Sequence, residues 1–269
     1  MTTTLPTGLP HEVTVGLRAL LCDADDSLFP SEAPAFDASV DVTNRFLEAH
    51  GIAQRVTAEE LRTSFTGKNF RTTARELAAA HGADAPDLDD WVAEEKRVVT
   101  AHLRTTLSPD PSVTASLTAL GEHLTLAAVS SSALSRLDGS FEAAGLSGLL
   151  PEVRRFSAED SLPEPTSKPD PAIYLHACRE LGVAPEQGLA VEDSVSGATA
   201  AVRAGCPTVG NVMFVPAAER DERRTQLEQA GVLAVITSWE QLTEQLLPVL
   251  AARRATVSDR RTRRPSGAR

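Results

Sequence analysis

Two carboxylates one residue apart, Asp23 and Asp25, follow directly on an apolar run from Leu17 to Cys22. Acids at this spacing can divide a reaction between them: one attacks an electrophile while the other gives or takes a proton. Carboxylates this close also repel each other unless a cation neutralises them, so the same pair predicts a bound divalent metal. Taken alone, such a D-x-D reads more readily as a polar turn after a strand. Three later stretches shift the balance. Ser130 and Ser131 close the run Leu124 to Val129; a hydroxyl there can donate to a phosphate oxygen, and helix capping is its ordinary alternative. Lys168, within Ser167-Lys168-Pro169-Asp170-Pro171, can neutralise an anionic substrate and a transferring group, although a single loop lysine is more often solvated. Glu192 and Asp193 again set paired acids behind an apolar run. Their oxygens suit a hard cation such as magnesium, or else the charged start of the next helix.

These four positions need a scaffold that brings strand ends together. In an open α/β sheet, ligands bind beyond the carboxyl ends of the strands. The run ending at Cys22 reads as a fully buried strand. From Ser31 to Thr106 the pattern turns helical: Val42, Phe46 and Ala49 form one stripe, and Phe70, Ala74, Leu77 and Ala78 another. Thr57-Ala58-Glu59-Glu60 is a capping box, with Val56 and Leu61 placed as its hydrophobic staple. Beyond Thr106, strands and helices alternate, with strands expected at 124–129, 153–156, 189–191, 208–212 and 232–236. The expected fold is therefore α/β: a Rossmann-like, three-layer parallel sheet with an all-helical insert after the first strand. The expected boundaries are a flexible leader over 1–12, an α/β core over 13–30 and 107–252, the helical insert over 31–106, and a disordered Arg-rich tail over 253–269.

Of the 269 residues 42% are hydrophobic, enough to bury a sizeable core. The formal charge of −11 disfavours nucleic acid or an anionic membrane as partner. It leaves room for an anionic small substrate, because a metal and a few local cations set the field of a pocket. Cys22, Cys178 and Cys206 are widely spaced and odd in number. They show neither a disulfide framework nor zinc-ligand spacing. With no signal peptide visible in the first residues and no apolar run of membrane-spanning length, a cytoplasmic protein is expected.

Four ordered strand ends carrying D-x-D, Ser, Lys and E-D resemble the haloacid dehalogenase superfamily, and more narrowly its branch containing β-phosphoglucomutase and phosphoglycolate phosphatase. The resemblance runs from Leu17 to Leu247. It implies that the helical insert is a cap and that Asp23 is a nucleophile forming an aspartyl-phosphate. It further implies that Asp25 is the acid/base, that Ser130 and Ser131 bind phosphate, and that Lys168 bridges nucleophile and phosphate. Magnesium is then held by Asp23, Asp193 and the backbone carbonyl of Asp25, with Glu192 binding directly or through water. Thr66 to Arg71 matches a cap loop that meets substrate, which makes Lys68 and Arg71 candidate substrate contacts. The family usually has Gly after its second Asp; here Asp26 takes that place, adding charge and giving up backbone freedom at a tight turn.

The activity so implied is a magnesium-dependent phosphatase of small phosphate monoesters, such as sugar phosphates or phosphoglycolate, acting as a monomer or weak homodimer. The alternatives are a sugar phosphomutase using the same residues and, on weaker grounds, a catalytically silent binding protein. Dehalogenases of the superfamily lack an acid two residues after the nucleophile, so Asp25 favours phosphate-ester chemistry.

Overall fold

A computed structural model describes residues 9–65, 69–85 and 87–262, with side chains described through Arg253. In chain order, α1 (His11–Gly16) and β1 (Ala19–Cys22) precede four helices, α2 (Glu32–Ala49), α3 (Ala58–Phe65), α4 (Phe70–Ala80) and α5 (Asp89–Thr106). An alternating half follows: α6 (Pro111–Gly121), β2 (Thr125–Ser130), α7 (Leu134–Ala143), β3 (Arg155–Ser157), α8 (Ala172–Glu180) and β4 (Gly188–Glu192). It ends with α9 (Val195–Arg203), β5 (Thr208–Asn211), α10 (Arg220–Gln229), β6 (Ala234–Ile236) and α11 (Trp239–Thr262). The chain forms two compact units. The first contains Met1–Leu28, Asp110–Ala133 and Gly148–Arg269; the second contains Phe29–Pro109 and Leu134–Ser147.

The first unit is built on a six-stranded sheet in the order β3-β2-β1-β4-β5-β6. Every pairing is parallel. All residues of β1 and of β4 are buried, as expected for strands covered by helices on both faces. Strand order reverses between β1 and β4, and the crevice beyond their carboxyl ends is where such sheets bind ligands. Cys22 lies opposite both Ala128 and Val191, so the loops after β1, β2 and β4 leave the sheet at nearly one level. Small side chains let the helices come close: Ala177, Ala190, Ala200 and Ala201 share one core cluster with Leu21 and Tyr174. The three cysteines are buried free thiols.

The second unit holds the helices expected as the insert. Phe46 is at its centre, meeting Phe70 and Trp91 edge-on at 6.4 and 5.8 Å. The capping box forms: Thr57 Oγ1 accepts from Glu60 N at 3.1 Å, and the Glu60 carboxylate accepts from Thr57 N at 2.8 Å.

Some boundaries differ from the sequence reading. Order begins before the expected leader ends, since His11 already opens α1. The first strand starts at Ala19 rather than Leu17. The last helix runs to Thr262, past the Arg253 at which a disordered tail was expected. Residues 134–147, expected in the α/β core, belong to the helical unit. There Phe141 packs edge-on against Phe29 at 5.4 Å, and a side chain on Gly139 would meet Arg104 Nε at 2.7 Å. Gly139 thus leaves room for the Arg104 side chain where α7 meets α5.

Candidate active site

The site lies at the carboxyl end of the sheet in the first unit. Asp23 follows β1, and its N–H donates to Val191 O at 2.9 Å, extending the ladder by one residue. That bond fixes where the Asp23 carboxylate leaves the sheet. Lys168 reaches in from the loop ahead of α8, and its side chain is only 5% exposed. Its ammonium donates to Asp23 Oδ1 at 2.5 Å, to Glu192 Oε1 at 2.6 Å and to Val129 O at 2.9 Å. An ammonium has three donors, and these contacts use all three. The Lys168 N–H in turn donates to Ser131 Oγ at 3.2 Å, tying this loop to the end of β2. Ser130 Oγ accepts from Ser132 N at 3.0 Å, so it braces the loop after its strand and does not cap a helix.

Asp25 points elsewhere. Its Oδ2 accepts from Ser132 Oγ at 2.7 Å. The two acids of the D-x-D thus have separate surroundings, a buried ammonium for one and a hydroxyl for the other. Between Asp25 and Ser27 the chain turns through Asp26 at φ 52°. This left-handed conformation explains why glycine is usual there; Asp enters it at less cost than most residues with a Cβ, but not freely as glycine does.

Burial drives the Asp23 carboxyl well above its ordinary range; Lys168 opposes this, while Glu192 and Asp25 add to it. Burial likewise raises Asp193, reinforced by Asp23, Glu192 and Asp26 and opposed by Arg223. On Lys168 burial acts downward, yet Asp23 and Glu192 outweigh it and hold the ammonium charged above its usual range. Oxygens of Asp23, Glu192 and Asp193 lie within 4.8 Å of one another, and all three residues are buried. A cluster of carboxylate oxygens with more negative charge than its cations offset fits a hard divalent cation. Asp25, expected to offer the metal its backbone carbonyl, is not one of the three carboxylates of this cluster.

Several contributors escaped the sequence reading. Tyr174, the chain's single tyrosine, donates its hydroxyl to Glu192 Oε1 at 2.5 Å and is fully buried. Arg223 on α10 donates to Asp193 O at 2.9 Å and lies 3.6 Å from its Oδ2. Ser194, not the two acids before it, caps α9 by accepting from Gly197 N at 3.1 Å. The missing side chain of Gly197 makes room for Glu192, because a Cβ there would land on the Glu192 carboxylate. Glu192 is completely buried and has nowhere to retreat. Gly197→Ala is therefore expected to destabilise the protein by about 1–3 kcal/mol, read as a lowered unfolding midpoint. An unchanged midpoint would mean that the glutamate repacks freely.

Of the remaining candidates, Lys68 lies outside the described residues. Arg71 is in the helical unit, where it pairs with Asp89 at 2.6 Å. A residue answering Arg71 across eighteen positions of chain is not visible in any local pattern.

Comparison with known proteins gives one family. The model for haloacid dehalogenase-like hydrolases matches residues 17–205. The Bacillus subtilis protein YhcW, which bears the name of a phosphatase, is 37% identical over 98 residues, covering 34% of this chain and 44% of YhcW. A phosphoglycolate phosphatase from Thiobacillus denitrificans is 50% identical over 48 residues, covering 18% of this chain and 20% of the relative. Both matches thus span less than half of the curated relative. A haloacid dehalogenase family hydrolase from Deinococcus radiodurans, solved with bound phosphate and sodium, superposes with a TM-score of 0.63 at 25% identity, covering 87% of this chain and 97% of that one.

Proposed function

Because the chain belongs to the haloacid dehalogenase-like hydrolases, we propose that it is a magnesium-dependent phosphatase of small phosphate monoesters working through an aspartyl-phosphate. The observation that carries this reading is the Lys168 ammonium, bonded at once to Asp23 and Glu192, beside a second acid held separately by Ser132. Phosphate monoesters hydrolyse extremely slowly in water, so a large acceleration has to be assembled from several effects.

In the first step an Asp23 carboxylate oxygen attacks phosphorus, and the bond from phosphorus to the ester oxygen breaks. Asp25, protonated, gives its proton to the departing alkoxide. In the second step Asp25, now a carboxylate, takes a proton from water as that water attacks the same phosphorus. The Asp23–phosphorus bond breaks and inorganic phosphate leaves. Lys168 orients Asp23 and offsets negative charge around the transferring group. Ser130 and Ser131 place hydroxyls at the end of β2, where phosphate oxygens would be bound. Asp23, Asp193 and Glu192 would hold magnesium, which supplies charge neutralisation to the phosphoryl oxygens when bound. The Asp25–Ser132 bond keeps the acid/base away from the buried cluster, so it can cycle its proton while Asp23 stays paired with lysine.

A small phosphorylated metabolite is the substrate class this reading assigns. Among the described residues no helix is long and apolar enough to cross a membrane.

The test is release of free phosphate from a panel of sugar phosphates, phosphoglycolate and nucleotides. Release is expected with magnesium, and at least about a hundredfold less with excess chelator. Release indifferent to chelator removes the metal from the reading. Accumulation of an isomeric sugar phosphate in place of free phosphate establishes the mutase alternative.

A further inference from the structure

Behind the loop that carries Asp25, two buried donors converge on one backbone oxygen. Ser27 O accepts from Trp239 Nε1 at 2.8 Å and from Asn211 Nδ2 at 3.1 Å. Ser27, Trp239 and Asn211 are all fully buried. They come from three places in the chain: the catalytic loop, the start of α11 and the last residue of β5. A carbonyl oxygen has two lone pairs, and here both are engaged. Asn211 is itself fixed, because its Oδ1 accepts from Met213 N at 3.0 Å.

The oxygen they hold belongs to the residue after Asp26, the one non-glycine residue at positive φ among the described residues. A glycine enters this turn freely; a residue with a Cβ enters it at a cost, and the surrounding structure must over-determine the conformation. The turn closes through Ser27 N and Leu28 N, both donating to Ala24 O, at 3.4 and 3.0 Å. Asp25 sits inside that closed turn, and its carboxylate accepts from Ser132 Oγ at 2.7 Å.

We propose that Trp239 and Asn211 are positioning residues for Asp25: they clamp the Ser27 carbonyl and so maintain a left-handed turn that this chain makes without glycine. Neither touches the reacting atoms. This inference rests on the reading of Asp25 as acid/base, and it adds that the clamp matters because residue 26 is not glycine.

The experiment is a coupling measurement. Trp239→Phe and Asn211→Ala, each removing one donor, are made with Asp26 and again in an Asp26→Gly background. With Asp26, each is expected to lower kcat about tenfold and change KM less than about twofold. In the Asp26→Gly background the same change is expected to lower kcat less than about threefold, because glycine holds the turn unaided. A merely structural role predicts equal losses in both backgrounds, and that result overturns the clamp. Amide exchange of the peptide over residues 23–28 gives a readout that needs no turnover: each donor variant should speed it about tenfold with Asp26 and much less in the Asp26→Gly background. Should the wild type release no phosphate from any ester, the phosphatase reading fails while this exchange coupling still decides the clamp. Asn211→Ala leaves the smaller cavity and carries the comparison if Trp239→Phe does not fold.

Discussion

Asp23→Asn is expected to lower magnesium-dependent phosphate release about 10⁴- to 10⁶-fold, the range seen when a covalent nucleophile is removed. An amide oxygen is a poor nucleophile toward phosphorus, and no other group takes its place: Asp25 is committed to Ser132 and Glu192 to Lys168 and Tyr174. The same substitution should not unfold the protein. In the absence of metal, burial and the neighbouring acids make the Asp23 charge costly, and Lys168 offsets only part of this. Asn is nearly isosteric, removes that charge, and relieves its repulsion with Glu192 and Asp193. The unfolding midpoint in metal-free buffer should therefore stay constant or rise. Phosphate release within tenfold of wild type would exclude Asp23 as the nucleophile.

Lys168→Met is expected to do harm of two kinds. It leaves Asp23 and Glu192, side chains 9% and 0% exposed, without their shared cation. Breaking a buried pair by deleting one member typically costs about 3–5 kcal/mol, because the remaining charge stays buried and uncompensated. Methionine matches the stem in length, so little of the loss is packing. Phosphate release should fall about 10²- to 10³-fold, as when a preorganised electrostatic contact is lost. The two substitutions thus part on stability, Asp23→Asn leaving it constant or raised and Lys168→Met lowering it, while both lower turnover. Combining them should return part of the stability, since the residues are in direct contact and couple. A Lys168→Met protein as stable as wild type in metal-free buffer would show that the lysine bears no such electrostatic duty. Chemical denaturation read with and without magnesium makes the comparison.

This difference in stability follows from the sheet geometry. The crevice at the reversal of strand order collects acids from β1 and β4 in one buried place. Lys168 and Arg223 set cations against this collection, each engaging different members. Lys168 is legible in sequence because prolines bracket it between two strand runs. Arg223 is not: it lies in Arg220-Asp221-Glu222-Arg223-Arg224, on a helix rich in charge, where any one arginine looks like any other. Tyr174 reads as part of an apolar stripe, and its hydroxyl acquires a role only when α8 packs over the sheet. Gly197 reads as one more small residue of α9, although its lack of a side chain is what admits the Glu192 carboxylate.

Asp26 was legible as a departure from the usual glycine, and the positive φ gives the departure its physical meaning. Nothing local signals the answer to it. Asn211 and Trp239 are 184 and 212 residues from Ser27, and both look like ordinary ends of a strand and a helix.

Which residues end each strand could be read from the order of amino acids, because apolar runs stop abruptly at polar residues and a parallel sheet aligns those stops. That was enough for the α/β class and, with helical periodicity, for the helical insert, and it nominated Asp23, Asp25, Ser130, Lys168, Glu192 and Asp193 as candidates. How the set is divided emerged only from the folded chain. Folding gave Asp23 to Lys168 and Asp25 to Ser132, placed Leu134–Ser147 with the helices, and supplied Tyr174, Arg223, Asn211 and Trp239 from distant elements. The reason is range: periodicity and capping act within a few residues, whereas partners for buried polar groups are chosen by whichever elements the sheet brings to its carboxyl edge.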